Sequence, residues 1–244
     1  MYLDEIRVYN ICMDFDIDMK RRDFIRFISV LGVCFIMPNS TNAKEVRRIL
    51  ENEDREGFYI RFYKPFNSVD PSKWMLKIGG LCENPKSFNL PGIQQLQKAT
   101  QTSRMKCVEC WSGKARWGGF RPQTLFDIVK PKKQAKFLYF YSADYYYEFI
   151  SLEDLLKPRV LFVYEMNNVP LPDIHGGPLR LIIPFKYGYK NVKTIVRLDF
   201  VEKEGIGYWS KFGYSQDGTV QPGKDYALDL KEEKVLKKSG EPDY

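Results

Sequence analysis

Strand-like runs outnumber helix-like ones in this chain, and proline and glycine keep breaking them; that pattern limits the fold more than any other feature. Trp74, Leu76 and Ile78 alternate with Met75 and Lys77 ahead of the Gly79-Gly80 pair, the two-residue period of a half-buried strand entering a turn. Lys136 to Asp144 is apolar or aromatic at most positions, which reads as a strand buried on both faces. Leu179 to Ile183 is a short apolar run closed by Pro184, a further buried strand. Val192, Thr194, Val196, Leu198 and Phe200 alternate with Lys193, Arg197 and Asp199, a half-buried strand with its even-numbered residues inward. Two short helices are signalled by their starts. Thr124 precedes Leu125-Phe126-Asp127 and Ser151 precedes Leu152-Glu153-Asp154, each a hydroxyl three residues ahead of an acid, and Pro131 and Pro158 follow. Mixed strands with few short helices imply an α+β fold rather than a doubly wound sheet. No G-x-G-x-x-G follows a strand, so no nicotinamide or flavin site is indicated.

Length and composition set outer bounds. The 244 residues suit one large domain or two small ones. No internal repeat or Ser/Gly linker divides them, and one domain is expected from about residue 44 to residue 220. Residues 221–244, ending KEEKVLKKSGEPDY, are charged and poor in bulky apolar side chains, and are expected to be a solvated extension. The formal net charge of +7 fits a lysine-rich surface or an anionic ligand. Nucleic acid is not indicated: the lysines are scattered, and no zinc-finger spacing, RNA-recognition aromatic signature or basic amphipathic helix is present.

The first 43 residues read as a leader. Lys20-Arg21-Arg22 is basic, Phe24 to Met37 is largely apolar, and Thr41-Asn42-Ala43 offers small residues for a peptidase. The apolar run is short for a permanent bilayer span. Arg21-Arg22-Asp23-Phe24 resembles the twin-arginine export motif, which carries folded proteins to the periplasm. A retained anchor is the alternative. The acidic residues of positions 1–18 point to Met19 as the true start. Of five cysteines, Cys82, Cys107 and Cys110 lie beyond this leader; three is an odd number, and a metal is one way to occupy the thiol left over.

Two segments carry chemistry: RMKCVECWSG, with Cys107 at its centre, and HGGPLRLIIPFKYGYKNVK, from His175 to Lys193. Together they resemble the molybdopterin-binding domain of the sulfite oxidase family, and within it the branch that reduces protein methionine sulfoxide. The resemblance covers most of residues 58–214 and rests on Cys107, Glu109, Trp111 and Ser112 in register. It implies the sulfite-oxidase-like fold of mixed β-sheets with short helices. It also implies a Mo-molybdopterin cofactor and Cys107 as both metal ligand and catalytic residue. A soft thiolate suits such a metal, and Arg104 and Lys106 are close enough in sequence to favour that thiolate.

For the rest of the cofactor the resemblance implies His175 as a hydrogen-bonding partner, Arg180 as the phosphate-binding arginine, and Asn191, Val192 and Lys193 as a cradle of backbone groups plus an ammonium. The physical chemistry agrees, because a guanidinium grips phosphate bidentately and successive N–H groups bind anions. Ser142 falls where relatives contact the cofactor through a threonine. Tyr59 falls near an N-terminal contact, although Glu56 stands where asparagine is usual. Tyr145-Tyr146-Tyr147 is a candidate lining for a substrate mouth.

Bland readings stand beside these. Cys107 could be a buried inert thiol, or half of a disulfide with Cys110, which departs from the small residue usual there; the C-x-x-C spacing also suits zinc. Arg180 could serve a surface salt bridge. The implied activity is two-electron oxygen-atom transfer to or from sulfur, with S-oxide reduction first, sulfite oxidation second, and a non-catalytic exported binding domain third. With no C-x-x-C-H haem motif, electrons are expected from a partner, a membrane haem subunit.

Overall fold

The computed structural model describes residues 57–60 and 68–244. The leader and the N-terminal approach to Tyr59 lie outside the described residues. Among the described residues, no helix is long and apolar enough to cross a membrane.

The first sheet is built from β1 (Met75–Gly80) and β2 (Lys86–Asn89) together with three later strands. In β1, Leu76 and Ile78 are buried while Met75 and Lys77 are exposed, as the alternation requires. The strand runs on through the glycine pair, because Gly79 and Gly80 keep pairing with the later strand Ile195–Val201. Helix α1 (Leu90–Gln94) follows directly, with the Asn89 side chain accepting from the Gly92 N–H and a proline in its first turn. Next come β3 (Lys98–Lys106) and β4 (Trp111–Phe120), a long antiparallel pair whose connecting turn contains Cys107.

Helix α2 (Pro122–Val129) starts three residues earlier than the Thr124 signal suggests. Arg121 is its N-cap without a side-chain hydrogen bond, and Pro122 opens it; proline at the first helical position brings the required φ and sacrifices no hydrogen bond. β5 (Phe137–Ser142) and β6 (Tyr147–Ser151) form an antiparallel hairpin. β5 is fully buried on one face only. Its other face is half-covered by a ladder of rings, Tyr139 lying 4.0 Å from Tyr141 and 4.2 Å from Phe149 between centroids. Helix α3 (Leu152–Leu156) is capped by Ser151, whose hydroxyl accepts from the Asp154 N–H, as the sequence indicates.

β7 (Leu161–Met166), β8 (Val169–Pro170) and β9 (Arg180–Ile182) extend the second sheet, and β10 (Ile195–Val201) returns to the first. A register shift between Ile195 and Arg197 resets the phase of β10. Ile195 is therefore buried where the simple alternation put Thr194 and Val196 inward.

Beyond Gln221 the chain is not a solvated extension. β11 (Gly223–Ala227) and β12 (Glu232–Leu236) make an antiparallel hairpin, and β11 lies parallel to the start of β4. Ala227, Leu228 and Leu236 are buried. The charges that make this segment look solvated sit on the open face of the hairpin or pair with buried cations described below.

The order in the first sheet is β2-β1-β10-β5-β6; the second runs β12-β11-β4-β7-β8, with β3 also on β4 and β9 on β7. The larger core packs the first sheet and the helices against one face of the second, with Phe120, Phe162 and Leu181 contributing from the latter. A smaller core covers the opposite face through Phe58, Met105, Trp111, Trp117, Leu161, Val163 and Ile182. Cys107 packs on the edge of this smaller core, and Arg180 pairs with Val163 on the same face.

Candidate functional site

The Cys107 turn joins β3 to β4. Its backbone is closed by the Cys107 N–H donating to the Trp111 carbonyl at 2.8 Å, and Cys110 takes the positive φ of 61° that the reversal requires. Cys107 is partly accessible and is not in a disulfide, so it is not joined to Cys110. Its Sγ lies 3.7 Å from Glu109 Oε2, which also accepts from Trp111 Nε1 at 3.0 Å. Glu109 thus holds the Trp111 ring against the thiol. Rings surround this point: Tyr59 meets Trp111 at 5.3 Å, and Phe58 meets Trp111 at 6.5 Å and His175 at 5.8 Å. Gly113 admits the N-terminal segment, since a Cβ there would lie 2.6 Å from the Gly57 carbonyl and 2.8 Å from the Phe58 ring.

Arg104 and Lys106 do not act as bare cations beside the thiol. Both are buried. Lys106 Nζ bonds Asp225 Oδ1 at 2.9 Å, and Arg104 grips both oxygens of Asp229 at 2.5 and 2.9 Å. Their fields are largely cancelled by those carboxylates. Sequence proximity could not show this, because the acids come from more than a hundred residues away.

The second motif folds around Arg180. It is 2% exposed, and its guanidinium sits 5.5 Å over the Trp117 ring. Nη1 donates to the His175 carbonyl at 2.7 Å, and Nη2 makes 3.4 Å contacts to the Met105 Sδ and the Asn191 carbonyl. Among the described residues no carboxylate pairs with it, and Nε has no hydrogen-bond partner. Burial alone lowers its pKa to about 10. A surface salt bridge is therefore excluded for this residue.

Around it the HGGP loop closes on Lys193. Gly176 has φ +99°, and a Cβ there would lie 2.7 Å from the Lys193 Cβ, so glycine is needed both for the conformation and for the approach. The Thr194 N–H donates to the Gly176 carbonyl at 3.0 Å, and Lys193 Nζ reaches the Ile174 carbonyl at 3.4 Å. Ser142 Oγ donates to the Lys193 carbonyl at 2.7 Å, tying the end of β5 to the same shell. Cys107, Ser142, His175, Arg180 and Lys193 are thus linked through Met105, Phe58 and Gly176.

Two residues of the sequence set face elsewhere. Val192 is buried in the larger core, so only its backbone is available, and its carbonyl already accepts from the Leu181 N–H. The Asn191 side chain staples its own loop: Oδ1 accepts from the Ile183 N–H at 2.6 Å, and Nδ2 donates to the carbonyls of Lys186 and Tyr187. Of the tyrosine run, Tyr146 is buried and donates to the Tyr189 carbonyl at 2.7 Å, whereas Tyr145 is 77% exposed. Met105, Phe58 and Trp117 were not singled out from sequence. An apolar residue two places before a cysteine carries no signal of the arginine it will touch.

A buried guanidinium with no counter-anion among the described residues, an unbonded Nε–H and a glycine-tight loop beside an ammonium are chemically suited to a phosphate-bearing ligand. Residues 63–209 match the oxidoreductase molybdopterin binding domain family, and the chain belongs to that family of enzymes. It is 28% identical over 236 residues to the protein-methionine-sulfoxide reductase catalytic subunit MsrP of Campylobacter jejuni, covering 82% of this chain and 79% of that protein. Its fold is similar to that of the sulfane dehydrogenase SoxCD from Paracoccus pantotrophus, with a TM-score of 0.61 at 16% identity. That likeness covers 94% of this chain, which spans 64% of the SoxCD chain.

Proposed function

We propose that the chain is an exported molybdopterin-dependent oxidoreductase that transfers one oxygen atom with two electrons, reducing S-oxides such as methionine sulfoxide. The observation that carries the cofactor assignment is Arg180, a buried cation with no carboxylate on it among the described residues, which a ligand phosphate would neutralise. Arg180 and Lys193 hold the phosphate end, with backbone groups of Asn191 and Val192 beside them. His175 and Ser142 orient the pterin, Tyr59 flanks it, and Cys107 supplies the thiolate ligand. When bound, the cofactor supplies a Mo(VI)/Mo(IV) couple that can take one oxygen atom from sulfur.

The surroundings of Cys107 favour a neutral oxide over sulfite. Sulfite is a small dianion and calls for free cations near the reacting centre. The two cations nearest Cys107 in sequence are already bonded to Asp225 and Asp229. Tyr59, half-buried and 5.3 Å from the Trp111 ring, offers an aromatic edge instead, which suits a thioether and its oxide. The name of the Campylobacter relative supports the same direction. Reduction of an S-oxide to the sulfide consumes two electrons and two protons and releases water. Those electrons come from a partner, which we assign to a membrane haem subunit. Export follows the twin-arginine signal of residues 1–43, outside the described residues.

The test is turnover of molybdenum-loaded protein with methionine sulfoxide and reduced viologen, set against sulfite with an electron acceptor. Viologen oxidation with sulfoxide is expected. Turnover with sulfite alone would overturn the assignment.

A further inference from the structure

We propose that the C-terminal hairpin, with Tyr244 beyond it, is a positioning element that fixes the Cys107 turn through a buried ionic network. This rests on reading Cys107 as the metal's thiolate ligand. The backbone supplies the first layer. The Tyr226 N–H donates to the Cys110 carbonyl and the Leu228 N–H to the Ser112 carbonyl, both at 2.9 Å. β11 therefore pairs with the strand edge on which the turn lands.

Side chains supply the second layer. Asp225 accepts from Lys106 Nζ at 2.9 Å, from the Ser112 hydroxyl and from the Tyr244 hydroxyl. Arg104 Nη1 donates to Ser112 Oγ at 3.1 Å as well as to Asp229, Nε donates to the Tyr244 main-chain oxygen at 3.2 Å, and the Tyr244 ring lies 5.0 Å from the guanidinium. Arg104, Lys106, Ser112 and Asp225 are each 3% exposed or less. Arg104 and Lys106 each meet a side-chain carboxylate, Asp229 and Asp225.

Its placement argues for positioning beyond mere stability. Lys106 and Ser112 are cross-strand partners at the base of the turn. Lys106 adjoins Cys107 directly, and Ser112 adjoins Trp111, whose carbonyl accepts from the Cys107 N–H. Groups behind a metal ligand set its orientation and tune the metal, and a fully satisfied buried network has few alternative arrangements. A second clamp on the same segment offers a control. Glu241 grips Arg159 at 2.6 Å with both oxygens, away from the turn.

The experiment compares Asp225→Asn, Tyr244→Phe and Glu241→Gln in the full chain. Hydrogen exchange is read at the amides of Cys107, Tyr226 and Leu228, and Mo(V) paramagnetic resonance is read on loaded protein. Asp225→Asn and Tyr244→Phe are expected to raise exchange at these amides by about tenfold or more and to shift the Mo(V) signal while metal content stays near the parent's. Glu241→Gln is expected to lower Tm while leaving exchange at the turn and the Mo(V) signal unchanged. Parent-like exchange and signal in both network variants, or an equal shift from Glu241→Gln, would overturn the proposal. If Asp225→Asn does not fold, Tyr244→Phe decides alone. If the parent chain binds no molybdenum, the functional assignment fails, and the exchange arm still decides this one.

Discussion

Replacing Arg180 with methionine separates a ligand-binding arginine from a structural one. Burial lowers its pKa from 12.5 to about 10, which at ~1.36 kcal/mol per tenfold change in proton affinity is a desolvation cost of ~3 kcal/mol. Methionine removes that cost. It also removes the 2.7 Å bond to the His175 carbonyl, and a charged hydrogen bond of this kind contributes ~1.5–3 kcal/mol. The two effects nearly cancel in cofactor-free protein, so Tm should move by no more than about 6 °C either way. With cofactor the effects do not cancel, because a bound phosphate would have recovered the ~3 kcal/mol, equivalent to a loss of affinity of roughly 100- to 300-fold. The assay is Tm of cofactor-free protein beside metal and pterin content of matured protein. Parent-like molybdenum retention in the variant would refute the reasoning, as would a loss of stability above about 5 kcal/mol without cofactor, which marks a structural core residue.

Gly176→Ala forces a side chain onto a residue at φ +99° and against Lys193; a stability loss of ~1–3 kcal/mol and weaker cofactor retention are expected by denaturation and metal analysis. Glu148 and Lys190 form a 2.9 Å ion pair with both side chains at most 1% exposed. Burial pushes the Glu148 carboxyl up, and Lys190 offsets this only in part. Glu148→Leu strands a buried ammonium and should cost ~3–5 kcal/mol in urea unfolding. Lys186 is clamped between Asp154 and Asp217 at 2.9 and 3.0 Å. Burial works to raise the Asp217 carboxyl, but its bonds to Thr219 and Lys186 prevail and hold it at about 2. Its contribution is complete above the unfolded value of 3.8 and is lost as pH falls from there towards 2. Asp217→Asn should flatten that acid limb slightly, since the side chain is 65% exposed and solvent screens the pair.

The candidate site was legible through resemblance: Gly176-Gly177 ahead of Pro178 and Arg180, and Cys107 followed by Glu109 and Trp111, match a family pattern, and the structure brings the two segments to one face. The strands with strict alternation, such as β1, were legible from their two-residue period. What sequence hid was long-range pairing. Asp225 and Asp229 look like solvated charges until Lys106 and Arg104 arrive from β3, and Tyr244 looks like part of a frayed end until it meets Asp225. Local irregularity hid the rest. A bulge changes the phase of β10 without any marker residue, and Pro122 starts α2 without needing the hydroxyl that Thr124 seemed to offer.

The central claim is that the Cys107 sulfur binds molybdenum. Molybdenum X-ray absorption on matured parent protein and on Cys107→Ser tests it most directly. The account predicts that the variant keeps its pterin but shows one sulfur fewer around the metal and no turnover. An identical sulfur count in the two proteins, with activity retained, would contradict it.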